Sequence, residues 1–250
     1  MKELIAYILI LVAALSTALS ATPTEDFEQA VEIYNRGEYD SALTVFQAIR
    51  DSGLVSAELY YNLGNCYFKT DQRGLAVAMY MQAERLNPRD EDIKANLRFV
   101  RSLLRDKPTD SLQNPIWNFV KGSALYFRSS ELTWFAFACF LLLILILIVW
   151  IYYREKKMLF IGIVIVLSFF IVTSATLVGI NIKLNYETPR GVITSPEAQV
   201  LAGPGAIGEV RFSAHEGLTF KILDQESGYY EGLFANNLKG WVPIADVYEF

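Results

Sequence analysis

The sequence predicts a multidomain membrane protein built from paired α-helices, a two-helix transmembrane hairpin and a small all-β barrel. Three observations predict it. Leu132 to Tyr152 and Met158 to Ile180 are apolar and uncharged, and a short polar link separates them. Upstream, the sequence resembles itself at an offset of about 34 residues, a length at which one helical hairpin repeats. Downstream, from Thr188, helical patterning gives way to short alternating runs between Gly, Pro and Asn, the mark of a small β domain.

Residues 1–20 combine Lys2 with the apolar run Leu4 to Leu15 and the small residues Ala18 and Ser20 at the minus-three and minus-one positions of a cleavage site. This is the pattern of a secretory signal peptide, and it places the following domain outside the cytoplasm. At about 1.5 Å per residue, each of the segments 132–152 and 158–180 spans about 30 Å of hydrocarbon. The link 153–157 contains Arg154, Glu155, Lys156 and Lys157, and cation-rich loops beside spans face the cytoplasm. Residues 21–131 and 181–250 are therefore expected on the outer, periplasmic side of the inner membrane. Trp134, Trp150, Tyr152 and Tyr153 fall at the ends of the first span, where amphipathic rings favour the headgroup layer. Neither span carries an ionisable side chain, which argues for an anchor rather than a pump or carrier. Ser168, Ala175 and Gly179 share one helical face that would let another helix approach.

Formal net charge is -5, and both exported parts are acidic overall, so neither is a footprint for nucleic acid. Cys66 and Cys139 fall in a helix of the first domain and in a membrane span, a placement that predicts no disulfide. Cys66 is expected as a buried small hydrophobe.

Residues 21–106 form the helical domain. Tyr60, Leu63, Gly64 and Tyr67, followed by Ala76, Tyr80, Ala83 and Pro88, resemble the tetratricopeptide repeat pattern with aromatic swaps. Gly64 and Ala76 let two helices cross closely, Tyr67 and Tyr80 fill the space between them, and Pro88 stops the second helix. This copy occupies 57–90. An earlier, degenerate copy near 23–56 keeps Gly37-Glu38-Tyr39, Ala42 and Phe46. A closing helix over 91–105 carries the stripe Ile93, Leu97, Val100, Leu104 and a basic face of Arg98, Arg101 and Arg105. First helices of such repeats line a concave groove, here carrying Phe27, Val31, Tyr61, Asn62, Asn65, Phe68, Lys69 and Asn96. Carboxamides both donate and accept, which suits an extended peptide backbone. A single lysine, Lys69, argues against a clamp for a C-terminal carboxylate.

Residues 107–131 begin with Lys107-Pro108-Thr109-Asp110-Ser111. They continue at Asn114-Pro115, an N-cap followed by proline at the first helical position. Ile116, Trp117, Phe119, Val120, Leu125, Tyr126 and Phe127 then predict an amphipathic helix on the outer leaflet.

Within 188–250 the expected strands are Gly191 to Ile193, Ala198 to Leu201, Glu209 to Phe212, Leu218 to Leu223, Tyr229 to Leu233, Lys239 to Val242 and Val247 to Phe250, with Asn236-Asn237 as a turn. Gly203-Pro204-Gly205, His215-Glu216-Gly217, Gly228-Tyr229-Tyr230 and Gly240-Trp241-Val242 resemble a bacterial SH3 domain. Leu201 stands where that pattern has arginine and Tyr229 where it has tryptophan, which departs from its cell-wall-binding set. The chain has one histidine, His215, and no metal-spaced cluster, nucleophile motif or phosphate loop. No enzyme activity, cofactor or metal is expected.

This order of segments resembles the BatE-type proteins of the Bat aerotolerance operon. The residues carrying the resemblance are Tyr61 to Tyr67, Asn87-Pro88, Asp92-Ile93-Lys94 with Asn96-Leu97, and Gly240-Trp241-Val242. The resemblance implies a non-enzymatic scaffold in a membrane assembly with von Willebrand A-domain Bat proteins and a MoxR-type AAA+ ATPase. The other reading is an envelope sensor that binds peptidoglycan through the terminal barrel.

Overall fold

The computed structural model describes residues 25–106, 114–152, 157–185, 189–205 and 209–250, and the chain divides into two compact units, 1–54 and 55–250. The expected signal segment, most of the 153–157 link and Lys107 to Ser111 lie outside the described residues.

In the first unit, α1 (Glu25–Asn35) and α2 (Tyr39–Asp51) form a helical hairpin. Ala30, Ala42 and Phe46 are fully buried, and Phe27 meets Phe46 edge-on at 5.5 Å. Gly37 makes the turn at φ +82°, a conformation that glycine adopts at little cost.

The second unit opens with α3 (Ala57–Lys69), α4 (Arg73–Leu86) and α5 (Glu91–Leu103). Ser56 caps α3 by accepting from the Leu59 N–H, and Asp90 caps α5 by accepting from Asp92 and Ile93, each satisfying donors that a helix start leaves over. Tyr60, Leu63, Tyr67, Ala76, Tyr80 and Ala83 are buried, as are Leu59, Val77 and Met79. α3 and α4 cross closely at Gly64, where a β-carbon would stand 2.7 Å from the Tyr80 ring. On α5, Ile93, Leu97 and Val100 are buried, and Leu104 follows at the helix end.

After the short helix α6 (Pro115–Tyr126), capped by Asn114, come α7 (Ser129–Tyr152) and α8 (Lys157–Asn185). Ser129–Ile151 and Met158–Asn185 are long and apolar enough to cross a membrane. They run antiparallel: Phe135 meets Phe170 edge-on at 5.9 Å near one end, and Trp150 stacks on Phe160 at 6.5 Å near the other. Leu141, Ile148, Ile165, Phe169 and Val172 point outward. Helix α8 runs five residues past Ile180, and that extension does structural work. Asn181 is buried; its amide donates to the Ala124 carbonyl at 2.7 Å and its oxygen accepts from the Ser129 hydroxyl at 2.8 Å. It joins α6, α7 and α8 at one end. Arg89, in the turn after α4, pairs with Glu131 of α7 and lies over the Tyr126 ring.

The C-terminal part is an antiparallel seven-stranded sheet: β1 (Arg190–Ile193), β2 (Glu197–Leu201), β3 (Val210–His215), β4 (Thr219–Glu226), β5 (Tyr229–Leu233), β6 (Lys239–Pro243) and β7 (Val247–Glu249). Its order is β3-β2-β6-β5-β4-β1-β7. The chain's first and last strands are neighbours, Gly191 opposite Glu249. A core of Ile193, Val200, Ala214, Phe220, Ile222, Tyr230, Phe234 and Val242 fills one side, with Phe220 stacked on Phe234 at 4.6 Å. The Tyr230 hydroxyl donates to Glu249 at 2.7 Å. That bond, aided by burial, pushes the phenol's pKa up. Between β5 and β6 the chain makes a 3-10 turn, Ala235–Asn237, rather than a two-residue hairpin, and Asn237 takes the positive φ at +58°.

This sheet docks on the helices. The Gly74 N–H donates to the Glu216 carboxylate at 2.8 Å, the His215 N–H donates to Asp106 at 2.7 Å, and His215 Nδ1 stands 3.1 Å from both oxygens of that carboxylate. A β-carbon on Gly74 would lie 2.5 Å from the Ile193 carbonyl oxygen, so this contact admits glycine alone.

Two substitutions separate these packing sites. Gly64→Ala should destabilise the full-length protein by about 1–3 kcal/mol, because the Tyr80 ring has to give way; an unchanged denaturation midpoint would refute the close crossing. Gly74→Ala should instead loosen the sheet, with faster amide hydrogen exchange in 190–194 and 213–218 and unaltered exchange in α7 and α8. Protection of those segments equal to the parent's would show that the contact is dispensable.

Candidate functional site: the exposed face of the repeat

The face formed by α3 and α5 carries the six residues expected to line a groove within the second unit. The structure brings them together but uses several of them internally. Asn65 Oδ1 accepts from the Tyr80 hydroxyl at 2.7 Å and from Asn96 Nδ2 at 3.0 Å. Asn96 Nδ2 also donates to the Tyr61 hydroxyl at 3.1 Å, and the Tyr61 ring packs against Tyr80 at 5.9 Å. This four-residue network fastens α5 to the α3–α4 pair. Asn65 Oδ1, Asn96 Nδ2 and the two tyrosine hydroxyls find partners within it, as burial demands.

Asn62 turns its amide back to the Glu58 carbonyl of its own helix at 2.9 Å. Phe68 meets Phe99 of α5 edge-on at 5.6 Å, and Phe99 remains more than half exposed. Lys69 is exposed at the C-terminal end of α3. Sequence reasoning did not single out Phe99, because it falls outside the Ile93, Leu97, Val100, Leu104 stripe; its position two residues past Leu97 puts it on the outer side of α5.

The resulting face has an aromatic patch, Phe68 with Phe99, beside a half-buried amide network. Within that network Asn65 Nδ2 and Asn96 Oδ1 make none of these bonds, which gives one donor and one acceptor for an extended backbone. Phe27 and Val31 belong to the first unit. Cys66 is fully buried, and Cys139 is also buried. Among the described residues, no group of three His, Cys, Asp or Glu side chains is placed to hold a metal ion. His215 and Glu216, expected as turn residues, both bond to the helical part of the unit, to Asp106 and to the Gly74 N–H.

No curated protein matches the chain. Residues 57–90 match the family model of the tetratricopeptide repeat, a segment that contains α3, α4 and the turn between them. Repeats of that kind present surfaces to other proteins, so the helical region points to protein partners.

Proposed function

We propose that the protein is a non-enzymatic, membrane-anchored adaptor of the BatE type, which holds partner proteins through the face of α3 and α5. The observation that carries this reading is the repeat match over 57–90, in a chain that also contains two helices apolar enough to cross a bilayer. Arg89 with Glu131, and Arg85 with the Asn185 carbonyl, tie the repeat to that apolar pair, so a partner bound at the aromatic patch is held close to the membrane surface. The proposed partners are membrane proteins with von Willebrand A domains. The proposed location is the inner membrane, with a signal peptide over 1–20 and both soluble parts in the periplasm.

The second reading assigns the terminal sheet as an SH3-like barrel that binds peptidoglycan. Its independent hydrophobic core favours it. Against it, the His215-Glu216 turn is engaged by Asp106 and Gly74, so at least that part of the sheet faces the protein's own helices.

The topology predicts active alkaline-phosphatase fusions both after Asp110 and after Phe250; an inactive fusion at either position rules it out. For partner binding, the full-length tagged protein is purified in mild detergent and compared with the triple variant Asn62→Ala, Phe68→Ala, Lys69→Ala. That set spares the Asn65 and Asn96 network, so folding is expected to survive. Mass spectrometry should find von Willebrand A-domain membrane proteins with the parent and about tenfold less with the variant, the effect of removing a patch worth about 1.4 kcal/mol. Equal recovery removes this face from the proposal.

A further inference from the structure

Below their shared end, α7 and α8 line a cavity of about 560 Å³. Pockets of this size, apolar with a few placed polar groups, are the ones that take small molecules. Leu132 and Phe135 of α7 and Phe170 and Leu177 of α8 form its walls, and the edge-on contact of Phe135 with Phe170 at 5.9 Å marks its deep end. Arg89 and Glu131, which pair with each other, stand at the end nearest the junction. Between these ends the described lining is hydrocarbon except at two positions, Thr173 and Ser174 of α8.

Those two hydroxyls differ from their neighbours. A serine or threonine inside an apolar helix commonly returns its hydroxyl to a carbonyl one turn back. Thr133 does so to Ser129 at 2.8 Å, and Thr176 to Val172 at 2.9 Å. Thr173 and Ser174 bond to no described residue, although Ser174 is 4 % exposed. A hydroxyl shut away from water without a partner is costly. Phe170, Thr173, Ser174 and Leu177 recur at three- and four-residue spacing, so both hydroxyls lie on the face of α8 that lines the cavity.

We propose that this cavity binds the acyl chain of an ester lipid, with the ester carbonyl accepting from the Ser174 or Thr173 hydroxyl. The chain lies against Phe135 and Phe170, and the carbonyl supplies the acceptor that the hydroxyls lack. Ser174 comes about 10 Å before Asn181 along α8 at 1.5 Å per residue. That is just beyond a headgroup layer of about 5–7 Å, the level at which lipid esters meet hydrocarbon. Both helices are apolar enough to cross a bilayer, so the ester at that depth belongs to a membrane glycerolipid; this source rests on the membrane-anchored reading above.

The test uses the full chain in a maltoside detergent, with the thermal midpoint followed as dioleoylphosphatidylcholine is added. Its dialkyl ether analogue, with the same chains and head group but no carbonyl, is added in parallel. The expected result is a saturable rise with both, the ether needing about tenfold more, the loss of one hydrogen bond. In the double variant Thr173→Val, Ser174→Ala the two lipids should become equivalent. Neither substitution adds bulk, so the helix pair is expected to fold. A parent that responds equally to the two lipids, or a variant that still separates them, overturns the proposal. So does a midpoint that rises with neither, the outcome if a helix of another protein fills the cavity. Alkaline washing of membranes reports separately on anchoring: a protein that washes off yet separates ester from ether keeps the cavity and discards the membrane reading. One that stays in the membrane without separating them keeps the anchor and loses the site.

Discussion

A helix that is apolar on every side can join a water-facing chain only through a last turn whose polar groups are satisfied, and the rest of this structure depends on how that is done at the shared end of α7 and α8. Asn181 is the centre of it. Buried, it bonds to the carbonyl of Ala124 and the hydroxyl of Ser129, and Asn185 donates to its oxygen at 3.2 Å. One side chain thereby orders the exit of α6, the entry of α7 and the final turn of α8. A hydrophobic residue of the same size would leave these partners unpaired, at a cost of about 1–3 kcal/mol for each buried group. Arg85, Arg89 and Arg190 complete the junction from the helical and sheet sides.

With this end fixed, the second unit behaves as linked layers. The amide network of Tyr61, Asn65, Tyr80 and Asn96 holds α5 to the α3–α4 pair. The sheet closes on the other side of α4 through Gly74 and on the end of α5 through Asp106. The amide network lies on α5 and the Asp106 contact three residues beyond its end, so this stretch joins the helical pair to the sheet.

Much of this was legible in the chain, and the pattern of what was not has a physical cause. Gly64, Ala76 and Tyr80 announce the crossing of α3 and α4 because close approach demands small residues opposite large ones at fixed spacing. The strands were legible because alternation survives in a sheet with one packed side; β5 fell where the pattern put it, and the others shifted at their ends by a few residues. The roles of Asn65 and Asn96 were not legible. An asparagine facing a peptide and one facing a tyrosine of the next helix look the same in sequence, and burial turned these two inward. The contacts of Gly74 with Glu216 and Asp106 with His215 join residues more than a hundred positions apart. No local periodicity records such pairs. Asn181 sat one residue beyond the apolar run and read as its boundary, whereas the helix continues because its amide has partners to meet.

The adjacency of β1 and β7 carries a consequence for how the protein reaches this state. Helices α3 and α4 are assembled from neighbours in sequence and can form quickly, whereas β1 must wait for a strand more than fifty residues away, a closure that raises contact order and slows folding. Until then β1, paired with β4 on one side, has an open edge on the other. An exposed strand edge makes a sticky intermediate. The late pairing of β1 with β7 thus sets how long the newly made chain is vulnerable to aggregation.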